Sequence, residues 1–337
     1  MFLRLIRIIS RSAVLLLLFW SCRKESSVPV DAPVNLTPYA ITYPYYFPIL
    51  ELPANNPLTL EGIDLGRHLY YDTILSRDGR ACANCHFQAS AFTTYTSNAL
   101  AHINLGWNNS FLWNGKVQGS MEDIMMFEVE QFFNTDVAKM NRSVFYRKEF
   151  KKVYNSDTIT PQLLSYALSQ FFRAMVSKNS LCDKFFLHTA SLNASQTRGF
   201  NIFTTEKGDC FHCHSLGLFT DNKFHNIGLD SIFIGVNVGR YNVTGKESDL
   251  GHFKTPTLRN IELTAPYMHD GRYTTLEEVV DHYDSKVKHS NTLDPIMTKP
   301  SKLYGLGLTS QDKADLVAFL KTLTDTSFTN NPLLQKP

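Results

Sequence analysis

The sequence predicts a mainly α-helical protein built from two domains. Several segments carry apolar residues three and four positions apart, begin at capping residues and are typical of amphipathic helices, whereas no segment shows a strong strand pattern. The 337 residues are enough for two domains of ordinary size. One five-residue motif occurs in each half, as Cys-Ala-Asn-Cys-His at 82–86 and as Cys-Phe-His-Cys-His at 210–214.

The motif Cys-x-x-Cys-His is the attachment signature of c-type haem. Each thiol adds to one vinyl group of the porphyrin, and the histidine that follows reaches the iron. We therefore expect two cytochrome c-like domains, each carrying one covalent haem c. The predicted attachment residues and iron ligands are Cys82, Cys85 and His86 in the first motif, and Cys210, Cys213 and His214 in the second. The rival interpretation is a zinc site, but zinc needs no histidine after each pair, and the two pairs are far apart.

The bulk composition suits a folded soluble protein and excludes some partners. Hydrophobic residues make up 43% and charged residues 19% of the chain, and the net charge is +2 without a long basic run. Nucleic acid is therefore not an expected partner. Four of the six cysteines are assigned to haem, which rules out a disulfide-rich scaffold, and Cys182 is predicted to be a small buried apolar residue.

Residues 1–22 are predicted to be a targeting segment. Three arginines precede an apolar core that is too short to span a membrane, and a small residue stands directly before Cys22. This pattern is typical of a bacterial lipoprotein signal with a lipid on Cys22, and an ordinary signal peptide cut nearby is the alternative. Either route exports the chain, so we predict a periplasmic protein, anchored to a membrane by its lipid. Residues 23–45, rich in Pro and Tyr, are predicted to be a tether.

The folded part is divided into an N-terminal haem domain at 46–194 and a C-terminal haem domain at 195–325, with a tail at 326–337. Helices are predicted at 120–133, 161–176, 276–284 and 310–324. The capping residues that support three of them are Thr160 before Pro161, Thr275 with Glu278, and Thr309 with Asp312.

From about residue 60 to 325 the chain resembles the bacterial dihaem cytochrome c peroxidase family, including its MauG-like branch. The likeness rests on an ordered series of motifs that frame the two haem motifs. They are Leu-Gly-Arg at 65–67, Leu-Ser-Arg-Asp-Gly at 75–79, Asn104, Trp-Asn-Gly at 113–115, Phe-Lys-Thr-Pro-Thr-Leu-Arg-Asn at 253–260 and Pro-Tyr-Met-His-Asp-Gly at 266–271.

The resemblance implies a division of labour between the two haems. In the family the N-terminal haem reacts with hydrogen peroxide, while the C-terminal haem accepts electrons from a donor and passes them on. His86 is then the proximal ligand of the peroxidatic haem, and His214 that of the electron-transfer haem. Trp113 matches the tryptophan that lies between the porphyrins; its other interpretation is a core indole.

Further site residues are implied by the same resemblance. Counting on from the 266–271 motif places the second ligand of the C-terminal haem at Tyr283, as in the MauG-like branch, with Met268 and Met297 as alternatives. A core tyrosine remains open, because Tyr283 lies on the apolar face of its predicted helix. The family also holds one Ca²⁺ between its domains, and the matching positions are Asn98, Thr264 and Pro266.

The sequence departs from the family pattern around the N-terminal haem. The family's loop histidine, which blocks the peroxidatic iron, has no counterpart between His86 and Asn98, so we expect an iron that is open at rest. His102, the one rival, is expected inside a packed segment. The family's distal Gln and Glu correspond to Ile124 and Asn134, which cannot move protons. The nearby candidates for the missing carboxylate are Glu128 and Glu130, whose other interpretation is a solvated helix surface.

Three functions follow as hypotheses. The first is a peroxidase that reduces hydrogen peroxide with electrons from a small cytochrome c or a cupredoxin. The second is a MauG-like oxidase that oxidises a side chain of a protein substrate at a distance. The third is an electron-transfer protein without catalytic activity. The family often forms homodimers, and nothing else in the sequence bears on the oligomeric state.

Overall fold

The computed structural model describes residues 35–94, 98–302 and 305–337, so the predicted signal segment and Cys22 lie outside the described residues. Within this part the expected mainly helical class is confirmed. The helices are α1 Leu60–Tyr71, α2 Met121–Phe127, α3 Val137–Arg142, α4 Val144–Tyr154, α5 Pro161–Ala174, α6 Leu181–Phe186, α7 Ala194–Phe203, α8 Tyr241–Thr244, α9 Leu276–Asp281, α10 Ser310–Lys321 and α11 Thr326–Thr329. No helix in these three ranges is long and apolar enough to cross a membrane.

The strands form two small antiparallel pairs. They are β1 Ser110–Phe111 with β2 Val117–Gln118, and β3 Phe224–His225 with β4 Phe253–Lys254. Each strand is only two residues long, which explains why the sequence carries no strong strand pattern.

Residues 36–337 form one compact unit with two apolar clusters. In the first cluster, α5 packs against α1 and α2. In the second, α10 packs against α7 and α9. Cys182 is fully buried, as predicted, and belongs to the second cluster although it precedes residue 195.

Residues at both ends of the unit make packing contacts and hydrogen bonds that the predicted tether and tail would not make. Residues 36–45, assigned to the tether, pair with the start of α1, since the amide of Tyr39 donates to the carbonyl of Leu58 at 2.9 Å. The predicted tail returns to the first cluster, where Phe328 packs on Phe92 and the hydroxyl of Tyr71 donates to the carbonyl of Leu334 at 2.7 Å. The folded unit therefore begins at Leu36 and includes the C-terminal residues.

The predicted helix starts are confirmed by their caps. Thr160 accepts from the amide of Leu163 at the start of α5, and capping boxes with Glu278 and Asp312 open α9 and α10. Two predicted helices change geometry before they end, because α2 continues into the π-helix Glu128–Phe132 and α9 into the π-helix His282–Lys286. Such π-helical segments are frequent at functional sites, and they carry the candidate residues Glu128 and Tyr283.

Buried asparagines join the two apolar clusters. The side chain of Asn104 donates to the carbonyl of Ser177 at 3.0 Å, and that of Asn260 donates to the Ser177 hydroxyl at 2.9 Å. The side-chain oxygen of Asn260 accepts from the amide of Asp325 at 2.7 Å. Buried polar groups need partners, so these bonds fix the position of the second half on the first.

Candidate haem-binding sites

The first haem motif forms a tight turn that presents one histidine. Cys82–Asn84 is a 3-10 turn, and the amide of His86 donates to the carbonyl of Cys82 at 3.0 Å. The Nδ1 atom of His86 lies 2.7 Å from the carbonyl oxygen of Phe92. Because a carbonyl can only accept, Nδ1 carries the proton and the lone pair of Nε2 is free to bind a metal.

The second motif repeats this arrangement. Cys210–His212 is a 3-10 turn, the amide of His214 donates to the carbonyl of Cys210 at 2.9 Å, and Nδ1 of His214 lies 3.0 Å from the carbonyl oxygen of Phe219. Burial lowers the pKa of His214, and it lowers the pKa of His86 to about 4. Both imidazoles are therefore neutral near pH 7, which is the form that binds iron.

The cysteines of both motifs are free thiols, and the surroundings of the second motif form a cavity of about 480 Å³. Cys210, Cys213 and His214 line that cavity, and Nδ1 of His269, which also lines it, has no hydrogen-bond partner within the described residues. This apolar cavity therefore contains two free thiols, an imidazole that can bind metal and an unsatisfied polar atom. Such a combination fits a covalent haem.

The zinc interpretation does not fit the same geometry. In the described ranges, the groups of potential ligand atoms close enough to share an ion contain at most one cysteine each. They are Cys213 with Asp221 and His225, and Glu206 with Asp209 and His212. A zinc site built on Cys-x-x-Cys pairs needs both thiols of a pair on one ion.

Three candidates for the second ligand of the C-terminal haem share the cavity with His214. Tyr283, Met268 and Met297 all line it. Tyr283 lies on the π-helix His282–Lys286, and burial raises the pKa of its phenol. Its hydroxyl makes no hydrogen bond to the described part of the chain, so it differs from the cavity residue Tyr267, whose hydroxyl donates to the carbonyl of Ile261 at 3.0 Å.

Trp113 and the three calcium candidates meet at the same cavity. Nε1 of Trp113 donates to the backbone carbonyl of Asn98 at 2.7 Å, and the carbonyl of Trp113 accepts from the amide of Lys254 at 2.8 Å. Trp113 thus connects the first half of the chain to the second. Asn98, Thr264 and Pro266 all line the cavity, and the Asn98 amide contacts the carbonyl of Met268.

The four residues considered for the distal side of the first haem differ in burial. Ile124 is buried, while Asn134 and Glu130 are exposed. Glu128 is partly buried, and burial raises the pKa of its carboxyl to about 7. Its charge in turn raises the pKa of the Cys82 thiol, after the larger effect of burial, so the carboxylate lies near the first motif.

His102 lies beside the proximal histidine. Its ring stacks on that of His86 with centroids 3.6 Å apart and an interplanar angle of 17°, and its Nδ1 is 3.2 Å from the hydroxyl of Tyr70. Burial lowers the pKa of His102 well below its usual value. The expected packed position is confirmed, and it places His102 next to the His86 ring.

Two cavity residues were not singled out by the sequence. Lys254 is buried, its amine donates to the side chain of Asn222 at 2.5 Å, and burial lowers its pKa to about 8. His225 lies between Asp221 at 2.9 Å and Asp294 at 2.5 Å. Lys254 belongs to the 253–260 motif, and this position is the sequence feature that could have identified it as a site residue. His225 had no comparable signal, because an Asp four residues before it is an ordinary spacing and its other partner, Asp294, comes from a distant segment.

The fold and the two sites define a helical c-type cytochrome with two covalent haems. Consistent with this, a family model described as di-haem cytochrome c peroxidase matches residues 60–191, and a cytochrome c model matches residues 196–324. The chain belongs to the di-haem cytochrome c peroxidase family, which includes MauG, and is an oxidoreductase of that type.

Individual relatives cover most of the chain. The methylamine utilization protein MauG of Methylophilus methylotrophus is 31% identical over 296 residues, which cover 81% of this chain and 85% of that protein. Cytochrome c551 peroxidase of Nitrosomonas europaea is 30% identical, covering 82% and 84%. The crystal structure of a MauG-like protein associated with microbial copper homeostasis superposes with a TM-score of 0.81 at 30% identity, covering 89% of this chain and 99% of that chain.

Proposed function

We propose that the protein reduces hydrogen peroxide to water with electrons from a small redox protein, a cytochrome c or a cupredoxin. Electrons enter at the C-terminal haem and pass to the N-terminal haem. A haem held through His86 would supply the chemistry of peroxide binding and O–O cleavage. The position of Glu128 is the observation that carries the proposal.

Glu128 has the properties of a proton-transfer group. It follows Ile124 by four residues, and its amide donates to the Ile124 carbonyl, so both side chains lie on one face of the helix. Ile124 occupies the position where the family resemblance expects a distal Gln. A carboxyl with a pKa of about 7 exchanges protons readily near neutral pH. Exposed Glu130 lacks this environment.

The C-terminal side is proposed as the electron-transfer site. His214 would hold the iron, and Tyr283 is proposed as the second ligand, because both side chains line the same cavity. With both of these side chains bound, the iron would rearrange little when it changes oxidation state. A phenolate bound to the iron would stabilise the ferric state, so we infer a lower reduction potential than Met268 or Met297 would give.

Trp113 and a calcium ion are proposed to hold the two halves in a transfer-competent arrangement. The Trp113 side chain is anchored on Asn98, and its backbone carbonyl accepts from Lys254, so Trp113 links the two halves. The side-chain oxygen of Asn98 and the carbonyls of Thr264 and Pro266 are neutral oxygen donors, which suit a hard cation that keeps several waters.

The cellular setting follows from haem attachment. Covalent attachment of haem c in bacteria takes place outside the cytoplasm, so the protein is proposed to be periplasmic, held at a membrane by a lipid on Cys22. Detection of a lipid-modified N-terminal peptide by mass spectrometry tests this. An unmodified mature N-terminus that starts elsewhere contradicts it.

The second candidate is a MauG-like oxidase that acts on a protein side chain. Tyr283 favours it, because a tyrosine ligand is the feature that the resemblance assigns to the MauG-like branch. The absence of the family's distal Gln and Glu at Ile124 and Asn134 also separates this chain from typical peroxidases.

One experiment distinguishes the two candidates. The purified dihaem protein is mixed with hydrogen peroxide and reduced cytochrome c, and consumption of both is followed. Two molecules of cytochrome c oxidised per peroxide, with loss of turnover in Glu128→Gln, support the peroxidase. Peroxide consumption without cytochrome c oxidation, but with oxidation of an added protein substrate, supports the oxidase. Peroxide that is not consumed at all contradicts both.

A further inference from the structure

A cluster of aromatic residues near the N-terminal end of the folded unit lies against the C-terminal haem-binding loop. The closest is Tyr46. A Cβ atom on Gly217, three residues after His214, would come within 3.0 Å of the Tyr46 carbonyl oxygen and 3.8 Å of its ring atom Cδ2. Leu218, the next residue of that loop, lines the haem cavity. Tyr46 therefore packs directly on the loop that follows the iron ligand.

The phenol of Tyr46 is bonded to a buried ion pair. Its hydroxyl donates to Oδ1 of Asp183 at 2.7 Å. Arg259 donates to both oxygens of the same carboxylate, at 2.9 and 2.8 Å, and its Nε donates to the carbonyl of Gly217 at 2.9 Å. Both ionic side chains are buried. The phenol thus has a fixed proton acceptor, and that acceptor is connected to the haem loop.

Tyr45 continues this path to the surface. Its ring meets that of Tyr46 edge to face, with centroids 5.5 Å apart, and it is 80% exposed. Tyrosine and tryptophan have oxidation potentials low enough for them to lose an electron in a protein, whereas the neighbouring Phe47 and Phe186 do not. Tyr46 and Tyr45 therefore form a direct oxidisable path from the haem loop to solvent. Tyr43 and Trp107 also belong to the cluster, but they meet Phe47 and not the Tyr45 ring.

We propose that Tyr46 and Tyr45 form a relay for single electrons between the C-terminal haem site and the protein surface. The relay rests on the proposed function, because peroxide is the oxidant. It gives the enzyme a second route for reducing equivalents, from any one-electron donor that touches Tyr45. A redox protein docked over the C-terminal haem is then not required for turnover.

The step balances in protons and electrons. Tyr46 loses one electron to the haem site and passes its phenolic proton to Oδ1 of Asp183, because a phenol that has lost an electron is a strong acid. Tyr45 then gives an electron to Tyr46 and its proton to solvent, while the proton on Asp183 returns to Tyr46. An external donor restores Tyr45 with one electron, and solvent supplies the proton. Two such passages deliver the two electrons that hydrogen peroxide accepts.

The carboxylate is suited to this role because it stays charged. Burial raises the pKa of Asp183, but hydrogen bonds and charge from Arg259, with the bond from Tyr46, lower it below the usual value overall. If the Tyr46 hydroxyl served only to fill space, it would not need a bond to the ionised Asp183 carboxylate. The same contact also has a structural role, so the test must report on oxidation itself.

The test treats the dihaem protein with peroxide in the absence of any donor and records spin resonance spectra and covalent dimers. We expect a tyrosyl signal and a dityrosine-linked dimer at Tyr45 in the wild type. Tyr46→Phe is expected to lose both. Tyr45→Phe changes an exposed side chain, leaves the fold intact, and is expected to keep the radical but lose the dimer. Tyr166→Phe, whose hydroxyl accepts from Asn55, serves as the control and is expected to behave as the wild type.

The outcomes separate the relay from the proposed function. Peroxide consumption with no tyrosyl signal, or with a signal that survives Tyr46→Phe, overturns the relay and leaves the peroxidase in place. A wild type that consumes no peroxide overturns both. Unchanged haem spectra and unfolding midpoints in Tyr45→Phe exclude loss of fold as the cause of a lost dimer.

Discussion

Nδ1 of His86 donates to the carbonyl of Phe92, six residues later, across 2.7 Å. His214 makes the equivalent bond to Phe219 at 3.0 Å, and both phenylalanines adopt positive φ angles, 61° and 54°. Positive φ is uncommon for a bulky residue, so two separate loops have the same unusual turn. The turn aims a backbone carbonyl at the histidine and fixes which imidazole nitrogen faces the haem.

The first prediction concerns haem count. Replacing Cys82 and Cys85 together by Ser removes both thioether bonds at the first motif, so the purified protein should contain one covalent haem in place of two. Intact mass spectrometry measures this directly. Cys182→Ala is the control, because that thiol is buried in the second cluster and belongs to neither Cys-x-x-Cys-His motif, and it should retain two haems. Two covalent haems in the double variant would contradict the assignment.

The second prediction concerns Glu128. Glu128→Gln cannot transfer a proton, so peroxide turnover should fall by about 100-fold or more, the usual contribution of general acid–base catalysis. The wild-type carboxyl has a pKa of about 7 and must be ionised to accept a proton from peroxide, so activity should fall as the pH drops below that value. Steady-state rates between pH 5 and pH 9, on the order of two units either side of the pKa, measure both effects.

Glu130→Gln is the matched control for Glu128. Its side chain is exposed two residues away on the same π-helical segment, so turnover and its pH profile should match the wild type. Equal losses in the two variants would show that the effect comes from the helix and not from one carboxylate.

The third prediction concerns the ligand of the C-terminal iron. Tyr283→Met replaces a phenol oxygen with a thioether, which stabilises the ferrous state, so the reduction potential of that haem should rise. Spectroelectrochemical titration measures the change. Tyr267→Phe, in the same cavity but bonded to Ile261, should leave the potential near that of the wild type. A potential that responds to Met268→Leu or Met297→Leu and not to Tyr283→Met would identify a methionine ligand.

Local sequence signals predicted the helix starts and the haem turns, because each depends on a few adjacent residues. Thr160, Thr275 and Thr309 form the expected caps. The π-helices that contain Glu128 and Tyr283 were not predicted, because one extra residue per turn leaves no signature in an apolar pattern that is read at a spacing of 3.6.

Contacts between distant segments were equally hidden from the sequence. Residues 36–45 have a linker-like composition, yet they pair with the start of α1, and Tyr43 packs on Trp107. The burial of Lys254 and the contact of His225 with Asp294 depend on which segments meet at the cavity. Only the packed structure determines such neighbours, because composition and spacing describe one segment at a time.

The fourth prediction concerns the stability of the buried pair Arg259 and Asp183. Arg259→Met leaves the Asp183 carboxylate buried without its partner, which typically costs about 3–5 kcal/mol. Chemical denaturation of the dihaem protein, followed by circular dichroism, measures the loss. Lys151→Met breaks the exposed pair with Asp157 and should change the free energy of unfolding by less than about 1 kcal/mol. Similar losses in both variants would contradict the role given to burial.

The last prediction concerns calcium. Removing the side chain of Asn98 in Asn98→Ala deletes one proposed oxygen ligand but leaves the backbone carbonyl that accepts from Trp113. Calcium at about 100 times its dissociation constant should stabilise the wild type by about 2.7 kcal/mol, and the variant should gain less. Thermal unfolding with added calcium or a chelator measures the difference. Asn108→Ala, which changes another asparagine at the cavity, should respond like the wild type. If a chelator leaves the wild-type midpoint unchanged, these oxygens hold no structural ion, and the halves are joined by the Asn104 and Asn260 bonds without it.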